Sequence, residues 1–250
     1  MVNEHRKVAL VTGANKGIGR ATAEQLAGLG MTVLIGARDP RLGARAAEEI
    51  GEAAHAVTLD VTDRATVSEA ARWIGERFGR LDVLVNNAGI TGSGHVAPRD
   101  ALDQIPSVVN LDMVRTVFET NVFGVIAVTN AMLPLLRRSP APRVVNLSSG
   151  AGSLTITSAP DGPMAQLPAS AAYAPSKAAL NALTVQYANE LRKDGFLVNA
   201  VSPGYVATDI NAHDGFLTPA QGAAVVVSLA TLGDDGPTGG FFGAEGRMPW

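Results

Sequence analysis

Cysteine is absent from all 250 residues, which excludes disulfides, thiolate nucleophiles and zinc held by cysteine. Histidine is scarce and scattered: His5, His55, His95 and His213 show no metal-ligand spacing, so no metal site is expected. A strong charge bias is also missing. The net charge of −3 gives no footing for nucleic acid or for a polybasic membrane patch. No window reaches the roughly 18 consecutive apolar residues of a membrane span. The polar opening from Met1 to Lys7 lacks the apolar stretch and cleavage site of a signal peptide. These absences set the expected location in the cytoplasm. No repeat and no linker divides the chain, and 46% hydrophobic content suits a single α/β domain over 1–250.

What is present alternates. Val8 to Val11 reads as a buried strand and runs into Thr12-Gly13-Ala14-Asn15-Lys16-Gly17-Ile18-Gly19. A helical stripe follows through Ala21, Leu26 and Leu29, stopping near Gly30. Strand, glycine turn and helix together form the setting that a phosphate-binding turn needs. Small residues admit the pyrophosphate, and the helix N-terminus offers free N–H groups with a favourable dipole. The spacing G-x-x-x-G-x-G is one residue longer than the common dinucleotide fingerprint.

The next strand, Met31 to Ala37, ends at Arg38-Asp39. An acid at this point would bond a ribose 2′-hydroxyl, whereas an arginine accommodates a 2′-phosphate. Ala37 occupies the expected acid position and Arg38 follows, with Lys16 and Arg41 nearby, which favours NADP(H) over NAD(H). A two-residue shift would put Asp39 in the acid position. Further strands end at Asp60-Val61, Asn86-Asn87, Ser148-Ser149 and Ser202-Pro203-Gly204. This is the pattern of a doubly wound, mostly parallel sheet with helices on both faces, whose ligands bind beyond the carboxyl ends of the strands. A long helix over about 114–137 carries Asn121, the stretch of about 152–170 reads as an extended loop, and Phe241-Phe242 forms a last short strand. The helix from Ala172 to Lys193 places Tyr173 and Lys177 one turn apart on one face. An ammonium in that position lowers the pKa of a phenol and makes it a proton donor and acceptor near neutral pH.

Thr12-Gly13-x-x-x-Gly17-x-Gly19, Asn87-Ala88-Gly89, Asn121, Ser149, Tyr173-x-x-x-Lys177 and Pro203-Gly204 together resemble the short-chain dehydrogenase/reductases, in the family's order and over nearly the whole chain. Asn15-Lys16 and Ala37-Arg38-Asp39 look most like the family's carbonyl-reductase group. The resemblance implies a seven-stranded Rossmann sheet, with a cofactor half of about 1–150 and a substrate half of about 151–250. It implies that Tyr173 exchanges a proton with a carbonyl or alcohol oxygen that Ser149 also bonds. Lys177 would tune the tyrosine and hold the nicotinamide ribose, and Asn121 would position a water. Ser149 is chosen over Ser148 because the family pattern S-x-x-G is met by Ser149 and Gly152.

Gly13, Gly17, Ile18 and Gly19 would hold the pyrophosphate, Asp60 and Val61 the adenine, and Asn87, Ala88 and Gly89 the ribose. Val206 and Thr208, after Pro203-Gly204, would meet the carboxamide. From Ser149 to Tyr173 the separation is 24 residues, longer than in many family members and shorter than in the carbonyl-reductase group. That leaves monomer, homodimer and tetramer open. The expected activity is NADPH-dependent reduction of a ketone or aldehyde. Two readings compete with it: NAD-dependent alcohol oxidation, and a non-catalytic dinucleotide sensor or scaffold. Ile90, Leu154, Met164, Tyr205 and Phe216 are the expected lining of an apolar substrate pocket.

Overall fold

The computed structural model describes residues 6–250; residues 1–5, with His5 and most of the polar opening, lie outside the described residues. The expected alternation is observed. β1 (Val8–Thr12), α1 (Gly17–Gly28), β2 (Thr32–Ala37), α2 (Pro40–Ile50), β3 (Ala54–Thr58), α3 (Arg64–Phe78) and β4 (Val83–Asn86) form the first half. Two 3₁₀ turns, at Pro98–Asp100 and Leu102–Gln104, then lead into α4 (Leu111–Phe118), a π-helical turn at Glu119–Phe123 and α5 (Gly124–Leu136). The remainder is β5 (Arg143–Leu147), α6 (Leu154–Thr157), α7 (Tyr173–Leu191), β6 (Leu197–Val201), α8 (Pro219–Ala230), β7 (Phe241–Gly243) and β8 (Gly246–Arg247).

The strand order is β3-β2-β1-β4-β5-β6-β7-β8, parallel throughout except for the last pair. Order reverses between β1 and β4, and this opens the crevice where such sheets bind ligands. The sheet therefore has eight strands where seven were expected. After β7 the chain doubles back and pairs Phe242 with Arg247, a contact too short for any sequence period to announce. Two further segments differ from expectation. The long helix contains a π turn, and the stretch after β5 holds a 3₁₀ turn (Gly150–Gly152) and α6 before its irregular part.

Alternate strand residues feed two cores. Val8 and Leu10 point to the face covered by α3, α5 and α7, where they join Leu84, Met132, Leu136 and Leu191. Ala9 and Val11 point to the other face, where they join Leu26, Val85, Val226 and Val227 beneath α1 and α8. Burial on both faces explains why the strands read as unbroken apolar runs rather than alternating ones. By length and composition 111–136 could cross a membrane; here Val128, Met132, Leu135 and Leu136 are core residues.

One buried carboxyl group fixes the start of the sheet. Asp82, 2% exposed, accepts the Val8 N–H at 2.8 Å and the Ser139 hydroxyl at 2.6 Å, with Arg80 Nε at 3.1 Å. Asp82→Ala strands these donors and is expected to cost on the order of 2–3 kcal/mol in urea unfolding, without altering cofactor affinity.

Candidate active site

The glycine turn after β1 is shaped to leave helix α1 open at its N-terminus. Gly13 and Gly17 adopt φ of +63° and +58°, a region that L side chains enter at a cost. Side chains cap α2, α3, α4 and α8, namely Asp39, Asp63, Asn110 and Thr218. None caps α1 at Lys16. Beside that open end lies Ile18, which lines the main cleft. An uncapped helix end over a glycine turn fits the pyrophosphate of a dinucleotide. The strand end of β4 is clamped to this turn. Thr12 Oγ1 accepts the N–H groups of Asn87 and Ala88, both at 3.0 Å. Asn87 Nδ2 donates to Thr12 O at 2.7 Å and to Gly13 O at 3.2 Å. A Cβ on Gly19 would run into Asn87 Nδ2 and the Gly13 carbonyl oxygen.

At the end of β2, Asp39 is engaged as the cap of α2, where it accepts the N–H of Arg41 at 2.8 Å and of Leu42 at 3.4 Å. Those backbone bonds, chiefly that of Arg41, hold its carboxyl below the usual range. Arg38 is exposed, and its guanidinium makes no ion pair among the described residues. Lys16 was expected beside Arg38 at a 2′-phosphate. It is paired instead with Asp209 at 2.6 Å, both groups being exposed. Asp60 Oδ1 caps its own turn through Thr62, and Val61 packs on Gly124.

The segment after β6 is fastened over the cleft at two points. Asp209 takes Lys16 on one oxygen and His213 Nε2 at 2.8 Å on the other, while its carbonyl contacts His95 Nδ1 at 2.6 Å. Asp214 accepts the Tyr205 hydroxyl at 2.8 Å and Arg99 at 2.9 Å. Burial, aided by the Asp214 carboxylate, pushes the Tyr205 phenol up to about 12. Pro203, Gly204, Val206 and Thr208 all line the cleft on this side. Thr208 faces Gly17, where an added Cβ would lie 3.5 Å from its methyl group.

Helix α7 carries Tyr173 and Lys177 into the same cleft, of about 840 Å³, together with Ser149 from the end of β5. The S-x-x-G spacing has a steric reason. A Cβ on Gly152 would lie 2.7 Å from the Lys177 carbonyl carbon, so only glycine lets α7 approach the end of β5. The Ser149 hydroxyl reaches the Tyr173 phenol. Lys177 Nζ donates to Leu147 O at 2.7 Å and lies 5.8 Å from the Tyr173 ring centroid. Asn121, fully buried, sits in the π turn. Its Oδ1 accepts Ile90 N–H at 2.9 Å; its Nδ2 donates to Ile90 O at 2.9 Å and to Ser176 Oγ at 3.0 Å. A Cβ on Gly89 would lie 3.2 Å from Asn121 Oδ1 and 3.4 Å from Lys177 Nζ, so these residues converge.

Two expectations are corrected here. The phenol is not made more acidic by its neighbour: burial raises the Tyr173 pKa, and the Ser149 bond only partly opposes this. Burial instead depresses the Lys177 pKa, from 10.5 to about 8. The predicted pocket lining is also only partly right. Leu154, Met164 and Tyr205 line the cleft, whereas Ile90 and Phe216 do not. Ile90 is spent clamping Asn121, and Phe216 lies 80% exposed on the outer side of Tyr205. Gln104, which the sequence reading passed over, lines the cleft; it lies in an irregular stretch with no period to single it out.

Comparison with known proteins bears on the fold and family. The family model described as short chain dehydrogenase matches residues 7–215. The (+)-neomenthol dehydrogenase of Capsicum annuum is 33% identical over 300 aligned positions, covering 94% of this chain and 95% of that protein. Salutaridine reductase from Papaver somniferum superposes with a TM-score of 0.80 at 33% identity, over 96% of this chain and 100% of the other. The NADPH-bound carbonyl reductase from chicken fatty liver gives a TM-score of 0.83 at 29% identity, over 98% and 99%. The chain belongs to the short-chain dehydrogenases, oxidoreductases that interconvert carbonyl and alcohol groups with a nicotinamide dinucleotide.

Proposed function

We propose that this protein reduces a ketone or aldehyde with NADPH, using Tyr173 as proton donor, Ser149 as a second hydrogen-bond donor to the same oxygen, and Lys177 and Asn121 behind them. The observation that carries the reading is the meeting of Ser149, Tyr173 and Lys177 in one cleft with the open end of α1. When bound, the nicotinamide supplies the hydride that reaches the carbonyl carbon. Tyr173 Oη gives its proton to the carbonyl oxygen as that oxygen becomes an alkoxide, and the product is the alcohol. Ser149 steadies the developing negative charge.

Gly13, Asn15, Gly17, Ile18 and Gly19 would cradle the pyrophosphate, with Asp60, Val61, Asn87, Ala88 and Gly89 along the adenosine side and its ribose. Pro203, Gly204, Val206 and Thr208 would meet the carboxamide. The preference for NADPH rests on Asp39 being engaged as a helix cap while Arg38 makes no ion pair among the described residues. Arg38→Ala is expected to weaken NADPH binding by about tenfold or more, the worth of a charge-assisted hydrogen bond, and to leave NADH binding unchanged. Titration of both dinucleotides checks this, and an equal loss for both would remove the assignment. The substrate is expected to be a fairly apolar carbonyl compound, given Leu154 and Met164 in the lining. A panel of ketones and aldehydes followed by loss of NADPH absorbance tests the activity; no consumption with any of them would defeat it.

A further inference from the structure

The first turn of the helix that carries Tyr173 has no cap of its own. Ala172 precedes it and has no polar side chain. Four N–H groups at a helix start ordinarily need outside acceptors. Here Ser176 N–H makes the first regular helix bond, to Ala172 O at 3.1 Å, and Pro175 has no N–H, so within the first turn the N–H groups of Tyr173 and Ala174 are the ones in need of acceptors. Both are taken by groups outside the helix. Ser170 Oγ accepts Tyr173 N–H at 3.0 Å and Ala174 N–H at 3.4 Å. Gln104 Oε1 accepts Tyr173 N–H at 3.2 Å and the Ser170 hydroxyl at 2.6 Å.

Gln104 is only 2% exposed and is itself held. Its Nε2 donates to Ser93 Oγ at 2.7 Å, Ser93 donates to Asp103 at 2.6 Å, and the Gln104 carbonyl accepts Ala171 N–H at 2.8 Å. On the far side of the same turn, Ser176 Oγ donates to Tyr173 O at 2.7 Å and accepts from Asn121. Tyr173 is thus gripped by its N–H from one side and by its carbonyl from the other.

We propose that Gln104 is a positioning residue for Tyr173: through Ser170 and the Tyr173 N–H it fixes where the phenol stands relative to Ser149. The inference rests on the reading of Tyr173 as proton donor. Small displacements of a reacting group are costly, about 10²-fold for 1 Å, so an amide buried at the root of the tyrosine can govern rate without touching substrate.

The test measures kcat and KM for the fastest ketone of the panel, NADPH affinity and the number of NADPH sites per chain. Gln104→Leu is expected to lower kcat per NADPH site by about 10–10²-fold, with KM and NADPH affinity unchanged. Gln104→Glu keeps the acceptor oxygen and is expected to restore most of the rate. If Gln104→Leu does not fold, Ser170→Ala carries the test, with an expected loss of about tenfold. In a Tyr173→Phe background either substitution is expected to add nothing, because the groups act as one unit.

A rise in KM at constant kcat would make Gln104 a substrate contact and overturn the proposal. So would a loss that tracks the loss of NADPH sites, or one that persists undiminished without the phenol. Full turnover by Tyr173→Phe would remove the proposed function, and this inference with it. Loss in Tyr173→Phe with none in Gln104→Leu would remove the inference alone.

Discussion

Tyr173→Phe is expected to lower ketone turnover by at least about 10²–10⁴-fold, the contribution of general acid catalysis. Only the hydroxyl is lost. The ring keeps its place at the start of α7, because the N–H and carbonyl of residue 173 are held by Ser170, Gln104 and Ser176 rather than by the phenol. Most of the dinucleotide contacts proposed above lie on the glycine turn, the strand ends and the segment after β6, with Lys177 expected beside the nicotinamide ribose; the phenol is one contact among these, so NADPH affinity should fall little. The effect therefore falls on kcat far more than on binding. Measuring both on the same preparation separates the readings. Unchanged turnover would refute the assignment of proton donation to Tyr173.

Lys177→Met should give two effects of opposite sign. Lys177 is 4% exposed, and burial lowers its pKa from 10.5 to about 8. Between these two pH values the unfolded chain holds a proton that the folded chain lacks, so stability rises with pH across that window. Below pH 8 both states are protonated, and the folded state carries a desolvated ammonium at a cost of about 3 kcal/mol. The single bond to Leu147 O returns only part of this.

Methionine fills a similar volume without charge. The variant without cofactor is expected to be more stable than the parent by about 1–3 kcal/mol at pH 7, allowing for the lost hydrogen bond. The gain should shrink as pH climbs from 8 towards 10.5. Turnover should nevertheless fall by about 10² or more, since the cation expected beside the nicotinamide ribose is gone. Urea unfolding at several pH values decides the first half; a variant less stable than its parent at pH 7 would refute the burial argument.

The fold was legible because the strands at β1, β2, β4, β5 and β6 are short apolar runs that each end in a distinctive polar or glycine group. The glycine turn could be read for the same reason: its context of strand and helix constrains it. Asn121 was recognised, yet nothing in the local pattern announced that a π turn would bring it against Ile90 and Ser176. That depends on how α4 and α5 meet α7, which is tertiary. The acidity of Tyr173 was misjudged because sequence spacing gives the distance to Lys177 but not the depth of both groups. Gln104 lay hidden for a related reason. Its partners come from two stretches far apart in the chain, Ser93 in one and Ser170 with Tyr173 in the other.

The fastenings around Asp209 and Asp214 have a consequence for how firmly the rim of the cleft is held. Lys16 and Arg99 are surface cations, and ion pairs of this type are worth about 0–1 kcal/mol each. They bring the rim together without locking it, and dissolved ions weaken them further. The rim of the crevice is therefore expected to loosen as the medium becomes more saline, whereas the buried tyrosine and its supports keep their arrangement.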